Sequence, residues 1–421
     1  MSTGMQVEPA TQRYANDILA QLMTSGEVDP YPLYSWLREN APVFYSEQVG
    51  AYMLTRYADC ERVLKDHRTF RSVDQSVVEE MFPQATVHEA YRLLLSAIIA
   101  QNPPAHTRLR RLVSREFTPR RVESLRLGIE RICDELLDGV AEAMLDGSVV
   151  DLHARVSMPL PLRVLAELLG VPPADLPRLS VLVPRMLHVV NPAATATEIQ
   201  ESSDAFREFG EYLEEMIAIR RRTPSNDLIS ALVTAHEADS DQLSDDELRT
   251  MLFALWAAGF ETPAIAVDNG VLTLLRQPEH VTLLADRDTA QDFIDELFRW
   301  ETPGSISTSR RYATKAVDFG GYQLPAGAQV RLLLNAANRD PAAYPDPDRF
   351  DPARTRTAPT SLAFGAGIHF CLGSGLARLE ITILLSKLTE RLPGLRLAGE
   401  PVRRRSIPLR DFSSFNVCLD R

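Results

Sequence analysis

Between Ser244 and Pro278 the sequence reads as one helix far longer than the roughly three turns usual in globular proteins. Ser244 and Glu247 give a Ser-x-x-Glu capping box, in which each side chain satisfies a free backbone donor of the first turn. An apolar run then continues to Pro278. The rest of the chain reads in keeping with such an element. Residues 31–40, 58–65, 289–300 and 373–392 look helical. Residues 106–222 are mostly helical, broken near Pro119, Pro159, Pro161, Pro172, Pro173, Pro184 and Pro192, with a further break at Pro224. Strand-like pieces lie at 43–56 around Gly50, at 309–319 and at 329–334, the last two separated by the turn residues Pro325, Ala326 and Gly327. Residues 70–101 read as an irregular surface excursion and 338–354 as a long ordered loop. The expected fold is mainly α with a minor β portion: a single large helical domain over 1–421, with a flexible tail over about residues 1–25.

Composition narrows the function. With 45% hydrophobic and 24% charged residues over 421 positions, the chain is an ordinary globular protein with ample length for a large core. Its net charge of −12 disfavours a non-specific nucleic-acid binder, which needs excess positive charge. Only Lys65, Lys315 and Lys387 are lysines among the 45 Lys and Arg residues, a bias that reads as a high-GC genome. Cys60, Cys133, Cys371 and Cys418 are widely spaced and form no CxxC, which fits a reducing cytoplasm. Residues 1–30 lack the basic start and apolar stretch of a secretory signal, and no run of eighteen apolar residues suggests a membrane span.

The segment Phe364-Gly365-Ala-Gly367-Ile-His369-Phe-Cys371-Leu-Gly373 carries the most chemistry. It sets Cys371 just before the last helix, whose free N–H groups and partial positive charge favour a thiolate. The glycines let the backbone bend tightly and approach something flat. A thiolate so held suits a metal ligand or a nucleophile, while a lone cysteine is also commonly a buried packing residue. A dinucleotide fingerprint fails because Phe370 stands where glycine is needed. A nucleophile pair with His369 lacks a third, orienting group.

Other constellations are weaker alone. Glu296 and Arg299 are neighbours on one helix face, as in many exposed ion pairs. His106 and Arg110, at i and i+4, can either grip an anion or stay solvated. On the long helix Ala254, Ala258, Glu261 and Thr262 share a stripe that ends at Ile265, with Phe253, Trp256 and Phe260 on the other side. The aromatics read as core. An acid and a hydroxyl on a buried small-residue face are harder to explain as packing.

Phe364, Gly365, Gly367, His369, Cys371 and Gly373 match FGxGxHxCxG, and on this long signature the chain resembles the cytochrome P-450 haem-thiolate monooxygenases, in particular soluble bacterial enzymes of secondary metabolism. Asn338-Arg-Asp-Pro341 and Phe350-Asp351 extend the resemblance, which spans about residues 31–421. It implies Cys371 as the iron ligand of haem b, with Phe364, Gly365 and Ala258 against the haem. It implies His106, Arg110, Arg311 and His369 as partners of the haem propionates, Arg310 being the alternative to Arg311 in register. Glu296 and Arg299 become a buried ExxR pair bonded to the 338–354 loop, with Arg349 or Arg354 as third member. Ala257-Ala-Gly-Phe-Glu261-Thr262 becomes the oxygen-activation motif, in which Thr262 hydrogen-bonds dioxygen and water and Glu261 relays protons. Pro263 departs from the usual Thr or Ser. Having no N–H, it frees the Gly259 carbonyl to bind water and is expected to help form the proton-delivery groove.

The resemblance further implies electrons from NAD(P)H through an external ferredoxin and ferredoxin reductase, since no flavin or iron–sulfur motif occurs and the chain is short for a fused reductase. Arg108, Arg111, Arg115, Arg120 and Arg121 form a basic strip that either steers such an acidic partner or is a solvated face. The expected substrate is a hydrophobic small molecule such as a macrolide, polyketide, terpenoid or carrier-bound chain. Its pocket is expected from 70–101, 171–222, 305–308 and 412–415, with Ala254, Ala257 and Ala258. The reaction is hydroxylation or epoxidation by a cytoplasmic monomer, with neither nucleic acid nor membrane as partner. A haem sensor or carrier, which needs no proton relay, and an atypical peroxygenase or isomerase, which often loses the acid–threonine pair, are the rival readings.

Overall fold

The structure, a computed structural model, describes residues 7–24, 28–73, 96–186, 188, 195–238, 243–304, 310–404 and 409–420. Most of the expected 70–101 excursion, Pro192 and the 305–308 pocket segment lie outside the described residues. Helix α1 (Pro9–Thr24) buries Ala15, Ile18, Leu19 and Met23, spaced to share one face. That face packs on Tyr34 and Leu37 of α2 (Tyr31–Asn40). The tail expected to be flexible to about residue 25 is thus an anchored helix from Pro9 onward.

Strands β1 (Val43–Ser46) and β2 (Ala51–Leu54) pair antiparallel around Gly50, whose φ of 67° suits a residue without a Cβ. Helix α3 (Tyr57–Lys65) and strand β3 (Phe70–Ser72) follow. Helix α4 (Ala105–Val113) starts just past Pro104. Helix α5 (Pro119–Ser124) is capped by the Thr118 side chain, with proline at its first position. Next come α6 (Arg126–Ala143), β4 (Val150–Asp151), a π-helical turn at His153–Ser157 and α7 (Pro159–Leu169), which ends at Gly170 in the left-handed conformation. Helix α8 (Leu176–Met186) runs through Pro184, where a break was expected. Only two helical residues follow the proline, so little of the ladder remains to be lost.

Helix α9 (Ala196–Arg222) begins with a capping box from Thr195 and Glu198, and α10 (Leu228–Ala238) follows. The expected long helix is α11 (Asp245–Arg276). Both halves of its capping box form: the Ser244 N–H donates to Glu247 at 2.9 Å and the Glu247 N–H to Ser244 Oγ at 3.2 Å. It continues through Pro263. By length and composition α11 could cross a bilayer, yet 61% of its apolar window is buried inside the fold, as in a core helix. Helix α12 (Arg287–Trp300) opens on an Asp286 cap. The expected 309–319 strand is two, β5 (Arg311–Ala313) and β6 (Val317–Phe319), and β7 (Tyr322–Leu324) and β8 (Gln329–Leu332) follow. Then come the short α13 (Leu334–Ala337) and the last helix, α14 (Ser374–Arg391). Strands β9 (Leu395–Leu397), β10 (Val402–Arg403), β11 (Phe412–Ser414) and β12 (Asn416–Leu419) end the chain.

The largest sheet has the order β1-β2-β8-β5-β3, with β2 and β8 parallel. Its β3–β5 pairing sets Ser72 opposite Arg311, a register that matters for the site. On the helical side α11 packs against α7 and α14. Its Phe253 and Trp256 meet Phe206 and Phe209 of α9, with ring centroids 4.5 and 6.1 Å apart for Phe206–Phe253 and Phe209–Trp256. The aromatic side of α11 is therefore core, and the small-residue stripe is left facing elsewhere.

Candidate active site around Cys371

The loop before α14 is closed by its own backbone, the Cys371 N–H donating to the Phe364 carbonyl at 2.8 Å. Gly365 and Gly367 have φ of 70° and 69°. A Cβ on Gly367 would lie 2.4 Å from the Leu64 carbonyl oxygen, so this glycine is what lets the loop lie against the end of α3. Cys60, Cys133 and Cys418 are buried, whereas Cys371 is exposed. Yet Cys371 sits deep enough for burial to push its thiol pKa up, against backbone N–H groups of Gly373 and Ser374 and the charges of Arg110 and Arg378. Cys371 thus sits deep in the molecule yet is left uncovered by the chain's own side chains.

The same holds on α11. Phe253, Trp256 and Phe260 are at most 4% exposed, while Ala258, in mid-helix, is exposed, and Ala254, Glu261 and Thr262 are half-buried. Thr262 Oγ1 donates to the Ala258 carbonyl at 2.8 Å. Burial pushes the Glu261 carboxyl up to about 7, helped by the Asp411 charge and opposed by Arg404 and His153. This acid is poised to hold and release a proton near neutral pH.

Four basic groups gather beside the cysteine loop. The His106 and His369 rings lie 4.2 Å apart, and His369 Nε2 is 3.3 Å from Ser72 Oγ. Arg110 donates to the Phe370 carbonyl at 2.6 Å. Arg311, 3% exposed, lies across from Ser72 in the sheet, while Arg310 is exposed. Burial first, then the positive charges of Arg110 and Arg311, push His106 down to about 4. Burial and Arg311 push His369 down to about 2, and burial pushes Arg311 down to about 10. No described carboxylate contributes to these shifts, and the buried His106 Nε2 has no hydrogen-bond partner. The unpartnered His106 Nε2, among basic groups with no described carboxylate beside them, calls for an anion. The two carboxylates of haem b fit this donor set, as its iron fits the open thiolate.

The scaffold beneath is a buried ionic hub. Arg299 meets Glu296 through Nε–Oε2 at 2.7 Å and Nη2–Oε1 at 2.8 Å, with Glu296 0% exposed. Glu296 Oε1 also accepts from the Asp351 N–H at 2.8 Å and from Arg354 Nε at 3.4 Å. Arg299 donates to the carbonyls of Asn338, Pro347 and Arg349. The third member is therefore Arg354. Arg349 contributes only its backbone carbonyl, its side chain turning outward to Asp351. Asn338 Oδ1 accepts from the Leu362 N–H at 2.7 Å, tying this loop to the cysteine loop.

Sequence reasoning missed Ser72 and Asn102. The Asn102 side chain clamps both backbone groups of Ser72, at 2.9 and 3.0 Å, and its carbonyl accepts the His106 N–H at 3.0 Å. Neither residue carries a local signal, because the pairing spans two elements. Of the expected basic strip, Arg108 pairs with Glu247 and Arg121 with Glu116, while Arg111, Arg115 and Arg120 are exposed.

A cysteine presented by a glycine-bent loop, a half-buried acid–threonine pair on a long interior helix and a basic rim with no described carboxylate beside it define a haem-thiolate enzyme. A family model of cytochrome P-450 matches residues 177–392. Cytochrome P-450 BJ-3 of Bradyrhizobium diazoefficiens is 37% identical over 99% of both chains. The 6-deoxyerythronolide B hydroxylase of Saccharopolyspora erythraea is 36% identical over 94% of this chain and 97% of its own. Among solved structures, P-450 BioI in complex with hexadec-9Z-enoic acid-ligated acyl carrier protein has a TM-score of 0.83 and 31% identity, covering 93% of this chain and 98% of that one. The chain belongs to the cytochrome P-450 family and is a haem-dependent monooxygenase, mainly α with a minor β portion.

Proposed function

We propose that this enzyme hydroxylates or epoxidises a hydrophobic secondary metabolite of the macrolide or polyketide type, free or tethered to a carrier protein. The observation that carries the reading is that Cys371 in its loop and Ala258 in the small-residue stripe of α11 are both left exposed, although the aromatic side of the same helix is buried. The relative that hydroxylates 6-deoxyerythronolide B and the neighbour holding an acyl carrier protein support the substrate class. When bound, haem b supplies thiolate-ligated iron that cleaves the O–O bond.

The residues of the chain take the remaining tasks. Cys371 would ligate the iron as a thiolate, a form that the Gly373 and Ser374 N–H groups favour against burial. His106, Arg110, Arg311 and His369 would bind the haem propionates, and Phe364, Gly365 and Ala258 would help hold the macrocycle. Phe364 is itself held between Phe298, 4.4 Å away, and the Arg378 guanidinium, 4.3 Å away. Thr262 turns its hydroxyl from the Ala258 carbonyl toward dioxygen and water. Glu261 stores the proton to be delivered. Phe412 and Phe415, stacked at 5.7 Å and buried, back the substrate side.

Electrons come from NAD(P)H through a ferredoxin and its reductase, steered by Arg111, Arg115 and Arg120. The enzyme works in the cytoplasm as a monomer. The test is a screen of macrolides, polyketides and their carrier-bound forms for the spectral shift that follows loss of water from iron. Hits are then turned over with dioxygen, NADPH, ferredoxin and reductase. Oxygenated product that appears only with all of these supports the reading. Product without dioxygen or electrons, or hits confined to other chemical classes, overturns it.

A further inference from the structure

One buried polar cluster is left over by this account. His153 Nδ1 lies 2.7 Å from Asp268 Oδ2, and Ser157 Oγ donates to Asp268 Oδ1 at 2.5 Å. On the other edge of the ring, His153 Nε2 lies 4.0 Å from Asp411 Oδ1. Asp268 is 0%, His153 5% and Asp411 5% exposed. Three ionisable groups this deep are costly to keep unless paired or used. Their placement is specific. Asp268 stands seven residues beyond Glu261 on α11, two turns along nearly the same face. His153 comes from the π-helical turn, and such turns interrupt regular helix mostly where a side chain must be aimed. Asp411 comes from the chain just before β11.

Asp411 also reaches outward. Its Oδ2 lies 3.4 Å from Nε of Arg404, whose side chain is 48% exposed, so this carboxylate connects the cluster to the surface. Inward, Glu261 stands two turns back along the face of α11 that carries Asp268, and the charge of Asp411 adds to burial in raising its carboxyl, opposed by Arg404 and His153. The groups facing His153 are Asp268, Asp411 and Arg404. Arg403 adds a positive charge beside Asp268 and donates to the neighbouring Asn269 at 3.2 Å.

We propose that Asp411 and His153, with His153 oriented by Asp268, form the branch through which protons from solvent beside Arg404 refill Glu261 during turnover. This inference rests on the proton-holding role of Glu261 proposed above. The step balances simply. Glu261 gives one proton toward the oxygen side and becomes a carboxylate. It regains one from the Asp411–His153 pair, through water, and the pair takes one from bulk water past Arg404. Nothing is oxidised or reduced along this branch. His153 and Asp411 are positioning residues, since they act through Glu261.

The test uses the full-length haem-loaded enzyme and the variants Asp411→Asn, His153→Gln and Glu261→Gln. In the resting, substrate-free protein, an infrared pH titration follows the protonated-carboxyl band that Glu261→Gln lacks. Removing the negative charge of Asp411 should lower the midpoint of that band by roughly half a unit to one unit. In turnover with NADPH, ferredoxin and reductase, Asp411→Asn and His153→Gln should raise the peroxide formed per NADPH about threefold or more and enlarge the solvent isotope effect, while KM and the reduced-carbonyl spectrum stay unchanged. An unmoved midpoint with unchanged coupling in both variants overturns the branch. If Glu261→Gln alone leaves coupling unchanged, the role of Glu261 falls first. If it uncouples while the other two do not, only the branch falls. Should Asp411→Asn fail to take up haem, His153→Gln carries the test alone, and failure of both assigns the cluster to folding and ends the proposal.

Discussion

His106 on α4 and His369 in the cysteine loop face each other at a ring separation of 4.2 Å and an angle of 56°. Both are driven to low pKa by burial and by the arginines around them, Arg110 and Arg311. The pair is brought together from two distant stretches of chain, joined through Asn102 and Ser72.

Losing one buried charged donor from this rim should weaken haem retention. Arg311→Gln is expected to speed haem loss by roughly ten- to a hundredfold, the worth of a charge-assisted hydrogen bond of about 1.5–3 kcal/mol. Transfer of haem to apomyoglobin measures this. Arg310→Gln, at the exposed neighbour, should leave the rate nearly unchanged.

Glu296 anchors Arg299 and Arg354 below the loop. Glu296→Gln strands two buried cations and should cost about 3–5 kcal/mol, read as a large fall in thermal midpoint together with poor haem incorporation. Arg349→Ala, whose side chain is 67% exposed, should stay within about 0.5 kcal/mol of the parent. Equal losses in the two would contradict the assignment of Arg354 as the third member.

Gly365 and Gly367 share nearly the same positive φ but not the same surroundings. A Cβ on Gly367 meets the Leu64 carbonyl at 2.4 Å, whereas on Gly365 the nearest atom is 4.0 Å away. Gly365→Ala should lose only the backbone penalty of its φ of 70° and ψ of −162°, about 1–3 kcal/mol. Gly367→Ala should also displace the loop, seen as a reduced-carbonyl band moved off the thiolate position.

The raised pKa of Glu261 has a signature in stability. From about pH 4.5, where the unfolded carboxyl titrates, to about 7, where the folded one does, the native state binds more protons, so its stability falls as pH rises. Glu261→Gln should flatten the pH dependence of the thermal midpoint across that window. A slope identical to the parent would place the acid elsewhere.

Thr262→Ala removes the hydroxyl now parked on the Ala258 carbonyl. The expected result is electron flow diverted to peroxide, with substrate affinity kept. Peroxide and product are counted against NADPH consumed.

The long helix, its capping box, the aromatic and small faces of α11 and the cysteine loop were all legible from order and spacing, because periodicity and caps are local properties of the chain. Anchored α1 was equally local, and its apolar period was overlooked. What the sequence by itself determined was the chemistry available: a thiolate at a helix start, an acid beside a threonine, paired basic residues. Only the tertiary structure decided that Arg354 and not Arg349 completes the hub, that Ser72 sits opposite Arg311, and that His153, Asp268 and Asp411 gather in one buried cluster. Those choices depend on sheet register and on which buried polar group finds its partner across 115 and more positions, as His153 finds Asp268. Burial makes an unpaired group expensive, so it is packing of the whole chain that selects among residues local sequence leaves equivalent.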